Sequence, residues 1–211
     1  MRKGLFVSME GPDSSGKSTQ IQLLLRHLEK TGRDAVALRE PGGTAIGERI
    51  REIVLDNAHP EMDCLAEAML YAAARAQMVA QLILPALTAG RTVICDRFVD
   101  SSIAYQGGGR RLGRVVDRIN AYAVRDCMPD VTFLLKLEPG MGKTRRSARA
   151  NDRIENESIA YHKRVYKAFL ALEKKHPHRI VGIDGTLGID EIGAMIAERV
   201  DALLRERDVA L

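Results

Sequence analysis

Residues 11–18 read GPDSSGKS and fit the pattern G-x-x-x-x-G-K-[ST], which wraps backbone amides around nucleotide phosphates. Gly11 and Gly16 permit the tight winding, so that N–H groups and the start of a following helix point at the anion. Lys17 supplies a point charge for the β and γ phosphates, and Ser18 offers a hydroxyl to Mg²⁺. Pro12, Asp13, Ser14, Ser15 and Thr19 complete the candidate triphosphate site. Asp13 is the anomaly, because a cradle for anions has no obvious need of a carboxylate. A second acid, Asp96, ends the apolar run VICD. It could hold magnesium directly or through water, position an acceptor phosphate or its arginine, or cap a helix.

A phosphate loop does not by itself separate a kinase from a motor or a switch. Four further clusters could hold a second nucleotide. REPGG places Arg39, Glu40 and Pro41 at the end of a strand, and DRF places Arg97 directly after Asp96. YAAAR sets Tyr71 and Arg75 four apart on one helix face, and AYQGGGR joins Tyr105 and Gln106 to a glycine turn. Together they could stack on a base, read its edge and grip a monophosphate.

These residues need a scaffold, and the apolar pattern supplies one. GLFVSME (4–10) predicts a strand, and TQIQLLLRHLEKTG predicts a helix with Ile21, Leu24, Leu25 and Leu28 on one face and Gly32 at its C-terminal end. DAVALRE (34–40), TVICD (92–96), VTFLLKL (131–137) and RIVGID (179–184) predict four more strands, separated by helical segments. From about Asp63 to Ala89 the chain is Ala-rich and helical, with Pro85 expected to kink the last turns. Strands alternating with helices predict an α/β fold, a three-layer P-loop NTPase sandwich whose five-stranded parallel sheet carries helices on both faces. The 211 residues suit one domain. KTRRSARANDR is dense in charge and nearly devoid of large apolar residues, so a mobile basic lid is expected at about 143–155.

Composition narrows the classes. Hydrophobic content of 45% and charged content of 28% are those of a globular chain, and no unbroken apolar run approaches the ~18 residues of a membrane span. The N-terminus lacks a secretory apolar segment, so a cytoplasmic protein is expected. Cys64, Cys95 and Cys127 are widely spaced and read as buried thiols rather than metal ligands. Net charge is +4, with 23 arginines among 32 basic residues, yet the arginines fall at strand ends and in the lid rather than along one helix face. No nucleic-acid partner and no membrane partner is expected.

The chain resembles the bacterial thymidylate kinases. GPDSSGKST, REPGGT, YAAAR, DRF, AYQGGGR, PDVTFLL and a basic flap ending in DRIE occur in the order found there, over about residues 4–184. The resemblance implies transfer of a phosphoryl group from ATP, with Mg²⁺, to dTMP by a homodimer. It implies that Asp13 receives the 3′-hydroxyl of the acceptor's deoxyribose, Tyr71 stacks on thymine and Arg75 reads its edge. Arg39 and Arg97 would grip the acceptor phosphate, Tyr105 would disfavour a ribose, and Ser102 and Gln106 would be further base contacts. Some relatives carry an arginine directly after the loop acid; here that position is Ser14. The missing charge on the transferring group is then expected from lid arginines, Arg149 and Arg153, with Arg145 and Arg146 as neighbours. A kinase for another pyrimidine monophosphate (dUMP, UMP or CMP) is the alternative, and a nucleotide-driven switch is disfavoured by the absence of N-K-x-D.

Overall fold

The computed structural model describes residues 4–141 and 151–210. Five strands, β1 (Phe6–Glu10), β2 (Ala35–Arg39), β3 (Thr92–Asp96), β4 (Val131–Lys136) and β5 (Ile180–Asp184), form one parallel sheet in the order β2-β3-β1-β4-β5. All five lie within a residue or two of their expected positions.

The central strands are apolar along nearly their whole length because both faces are covered, and alternation sorts their side chains. Val7 and Met9 of β1, with Val131, Phe133 and Leu135 of β4, pack under α1 (Lys17–Lys30) and α8 (Ile189–Ala210). Phe6, Val93 and Cys95 face the other way, onto α3 (Cys64–Met78), a π-helical turn (Val79–Ile83) and α4 (Leu84–Thr88). On that same side Leu134 meets α7 (Ile159–Lys175).

Helix α1 ends as Gly32 led us to expect: Gly32 N–H donates to Glu29 and Arg33 N–H to Leu28, with Gly32 at φ +71°. Helix α2 (Ala45–Leu55) starts at Thr44, whose hydroxyl accepts from Gly47 N at 2.9 Å. The segment Cys64–Thr88 is helical throughout, and its 25 residues are apolar enough by length and composition to cross a bilayer. Buried Glu67 and Arg75, each ion-paired to other elements, mark it as a core helix instead. Pro85 lacks an N–H for the carbonyl one turn back, and the wider π turn directly before it takes up the disturbance. None of the three cysteines is in a disulfide; Cys95 and Cys127 are buried, whereas Cys64, at the start of α3, is half-exposed rather than buried.

Two short elements complete the wall of the cleft: α5 (Val99–Ser102), which continues into a π-helical stretch (Ile103–Gly109), and α6 (Arg114–Val124). The π stretch lies against α7 so closely that a Cβ on Gly109 would sit 2.6 Å from the Tyr161 ring and one on Gly108 2.6 Å from Ala168 Cβ, which accounts for the last two glycines of AYQGGGR.

Candidate active site

A cleft of about 860 Å³ opens along the carboxyl ends of the strands, where parallel sheets place their ligands. The phosphate loop forms its middle. Gly11 sits at φ +132°, with the place of a Cβ only 2.5 Å from the Leu135 carbonyl, so only glycine fits. Gly16 occupies the N-cap of α1 without any side-chain cap, which leaves the first N–H groups of the helix for an anion. Lys17 is buried and lies back across the loop, its Nζ donating to the carbonyls of Pro12 at 2.8 Å and Gly11 at 3.2 Å. Burial and the neighbouring Arg97 lower its pKa to about 8. Ser18 Oγ donates to Asp96 Oδ2 at 3.3 Å, which brings a hydroxyl and a carboxylate oxygen together beside the loop. Asp96 caps no helix, since the N-cap of α5 is Phe98.

Asp13 and Arg97 join the two halves of the cleft. Arg97 NH2 donates to Asp13 Oδ1 at 2.6 Å, NH1 donates to the Gly11 carbonyl and to Ser101 Oγ, and the guanidinium lies over the Tyr105 ring. Tyr105 OH reaches Asp13 Oδ2 at 3.4 Å. Burial pushes the Asp13 carboxyl up, but Arg97 and Lys17 together hold it well below the usual carboxylate range. It therefore stays ionised and is an acceptor only. Arg97 adopts φ +70°, uncommon for a residue with a side chain, and such strain costs about 1–3 kcal/mol and clusters at functional sites. Behind it, buried Glu10 accepts from Ser101 Oγ at 2.5 Å and from Phe98 N at 2.7 Å, fixing the turn that carries Arg97.

The far end of the cleft is built from charged groups locked to one another. Arg75, 1% exposed, gives every N–H to the protein: Nε and NH2 to Glu40 Oε2 at 2.8 and 2.5 Å, NH1 to Ser102 Oγ and Asn120 Oδ1, NH2 also to the Phe98 carbonyl. Burial raises the Glu40 carboxyl to about 7 against the pull of Arg75. Its second oxygen, Oε1, is buried without a hydrogen-bond partner. Arg39 lines the cleft half-exposed and pairs with Glu48 at 2.8 Å. Pro41 takes part through its carbonyl, which accepts from Arg39 and from Arg51 NH1 at 2.9 Å. Tyr71, Tyr105, Ser102 and Gln106 are all on the cleft wall.

One expected residue is not gathered at the loop, and others lie outside the described residues. Arg149 lies outside the described residues, as do Arg145 and Arg146. Arg153 does not line the cleft: its NH2 donates to Glu67 at 2.6 Å, and its Nε and backbone N–H cap the last carbonyls of α2, Val54 at 3.0 Å and Leu55 at 3.1 Å. Conversely, Arg51 was not anticipated. No motif marks it, yet α2 turns it into the cleft, where burial and Arg39 lower its pKa. The apolar donor end, Leu187, Ile189 and Ile192, also carries no sequence signature.

The acid of the phosphate loop is thus tied to a second wall of the same cleft, lined by aromatic and amide side chains. A family model described as thymidylate kinase matches residues 9–196. The chain belongs to the thymidylate kinase family. A thymidylate kinase from an Exiguobacterium species is 49% identical over 189 residues, 89% of either chain. Those of Lactobacillus helveticus and Gloeobacter violaceus are 45% and 43% identical, over 97% and 98% of this chain and 99% of each relative. As a thymidylate kinase family member, the chain keeps the acidic loop and the strand-end arginines together in one cleft.

Proposed function

We propose that the cleft transfers the γ-phosphoryl group of ATP to dTMP, giving dTDP. The observation that carries this reading is Asp13, an ionised acid inside the phosphate loop yet facing the acceptor half of the cleft beside Tyr105. A carboxylate there accepts a hydroxyl from a sugar, and the 3′-hydroxyl of deoxyribose is the group we assign to it. Packed against it, Tyr105 leaves little room at C2′, which favours deoxyribose over ribose.

Little covalent work falls to the protein in such a transfer, which needs alignment and charge neutralisation. An oxygen of the dTMP phosphate attacks the γ phosphorus, and the bond to the β–γ bridging oxygen breaks. Lys17 leaves the loop carbonyls for the β and γ phosphates. Arg97, Arg39 and Arg51 surround the acceptor phosphate. Leu187, Ile189 and Ile192 offer an apolar surface to the adenine, and Tyr71 offers its ring to thymine. Hard oxygen donors suit magnesium, and Ser18 with Asp96 would hold it; when bound it neutralises the β and γ oxygens. For the transferring group we assign Arg149. The contacts of Arg153 support a role in anchoring the base of a lid of about 143–155.

The whole chain would act as one kinase domain, as a homodimer in the cytoplasm, with neither nucleic acid nor membrane as partner. Exposed apolar side chains on three neighbouring helices support the dimer: Ile46 and Ile53 on α2, Met69 on α3, and Tyr122, 85% exposed, on α6. An ATP-consumption assay with dTMP, dUMP, UMP, CMP and AMP tests the function. Turnover driven by dTMP far above the others is expected, and equal or better turnover of another monophosphate would overturn the assignment.

A further inference from the structure

Ser102 and Gln106 stand four residues apart on the cleft wall, and the partner behind Gln106 fixes the direction of its amide. Gln106 is 2% exposed, and its Nε2 donates to Glu67 Oε1 at 2.9 Å. An ionised carboxylate accepts and never donates, so the amide can meet Glu67 only through its NH2, whichever way it is drawn. The carbonyl Oε1 of Gln106 is thereby left for the cleft. Ser102 Oγ accepts from Arg75 NH1 at 3.0 Å. A guanidinium has no acceptor, so the hydroxyl proton of Ser102 also remains for the cleft.

Glu67 is kept ionised by its surroundings. Oε1 accepts from Gln106 and from Arg110 Nε at 3.2 Å, and Oε2 accepts from Arg110 NH2 at 2.9 Å and Arg153 NH2 at 2.6 Å. Burial pushes its pKa up, but the hydrogen bonds from Arg110 and Gln106 hold it below the ordinary value. No oxygen of this carboxylate has room for a proton.

A donor beside an acceptor matches O4 and N3–H of a thymine or uracil ring. Cytosine presents the reverse pattern, an amino group beside a bare N3; the Ser102 hydroxyl keeps a lone pair that can accept from the amino group, but the Gln106 carbonyl would face N3 with no proton between them. We propose that Glu67 is a positioning residue that makes the acceptor compartment select an imide base, by holding the Gln106 amide with its carbonyl toward the cleft. This rests on the dTMP reading above and names the group that enforces it.

The test compares kcat/KM for dTMP and 5-methyl-dCMP, which share methyl group and sugar and differ in the donor and acceptor pattern. Wild type is expected to favour dTMP by on the order of 10³-fold or more. In Glu67→Gln the new amide can donate to Gln106 Oε1 while its carbonyl still accepts from the arginines, so Gln106 turns its NH2 to the cleft. The dTMP preference then falls by about 10–100-fold, whatever general loss the weakened ion pairs impose. Glu67→Asp remains acceptor-only and keeps the preference within about threefold, even if both rates drop. Equal losses on the two substrates in Glu67→Gln would make Glu67 merely structural and overturn the proposal. Should that variant not fold, loss of discrimination in Glu67→Asp would overturn it, as would wild type using the two substrates alike. Wild type inactive on dTMP would instead remove the function itself, so the two failures are distinguishable.

Discussion

The two halves of the cleft are built in opposite ways. The phosphate cradle of the donor half comes from eight consecutive residues, uses backbone amides, and holds its one lysine against loop carbonyls. The acceptor half draws on β2, α2, α3, β3 and the α5 region, and three of its arginines, Arg39, Arg75 and Arg97, are bound to acids before any ligand arrives. A local cradle can lose a side chain without losing the fold. A compartment that rests on a buried ion pair such as Arg75–Glu40 cannot, because removing one partner strands the other charge in a dry interior. Function and stability should therefore separate at the donor end and coincide at the acceptor end.

The sharpest separation is expected at Lys17. Lys17→Ala should lower kcat by about 10³-fold, by analogy with loss of other charges on a transferring phosphoryl group, while the melting temperature stays within about 2 °C. Calorimetry beside the kinetics checks both, and a large fall in Tm would abolish the contrast. Arg75→Met should do the reverse: it leaves Glu40 buried and unpaired, costing about 3–5 kcal/mol, or roughly 10 °C in Tm for a chain of this size. A fully stable Arg75→Met protein would show that the acceptor half is not held by its ion pairs.

A smaller effect comes from pH. With its pKa lowered to about 8 in the free enzyme, Lys17 should lose its charge above that pH. The kcat/KM for ATP is then expected to fall about tenfold per pH unit above 8, while kcat, measured with the phosphates bound, falls later. Unfolding is not the cause, because the sign is opposite. A lysine whose folded pKa lies below its unfolded value penalises the fold while charged, and that penalty is relieved as pH rises from about 8 toward the unfolded value. A flat kcat/KM profile to pH 9.5 would contradict the burial of Lys17. The smallest effect belongs to Thr44→Ala, which removes the cap of α2 and should cost about 1 kcal/mol and 2–4 °C. As α2 carries Arg51, KM for dTMP should rise a fewfold, with KM for ATP unchanged.

Legibility in the sequence follows the same division. The phosphate loop could be read because its function needs a fixed spacing within one segment, and the three central strands because burial on both faces makes them mostly apolar runs. Partners far apart in the chain left no such trace. The sequence presents Arg153 as one more charge at the end of a basic segment; the acid that claims it, Glu67, lies 86 residues earlier and is itself buried by folding. Arg75 was legible as a residue of the compartment. That all its N–H groups are spent on Glu40, Ser102, Asn120 and Phe98 was not, since those partners come from three other segments. Arg51 was invisible for the same reason: an arginine on an amphipathic helix is usually solvated, and only the packing of α2 turns this one inward.

The central claim is that Asp13 receives the sugar hydroxyl of the acceptor. The direct measurement is kcat/KM for dTMP against 3′-deoxy-dTMP, in wild type and in Asp13→Ala. Because Asp13 also holds Arg97 at 2.6 Å, the variant should lose activity on both, and the ratio carries the answer. We predict that wild type prefers dTMP by about 10–150-fold, the worth of a charge-assisted hydrogen bond, and that the ratio in Asp13→Ala collapses to about one. A ratio that survives the substitution would contradict the account and assign the 3′-hydroxyl to another group.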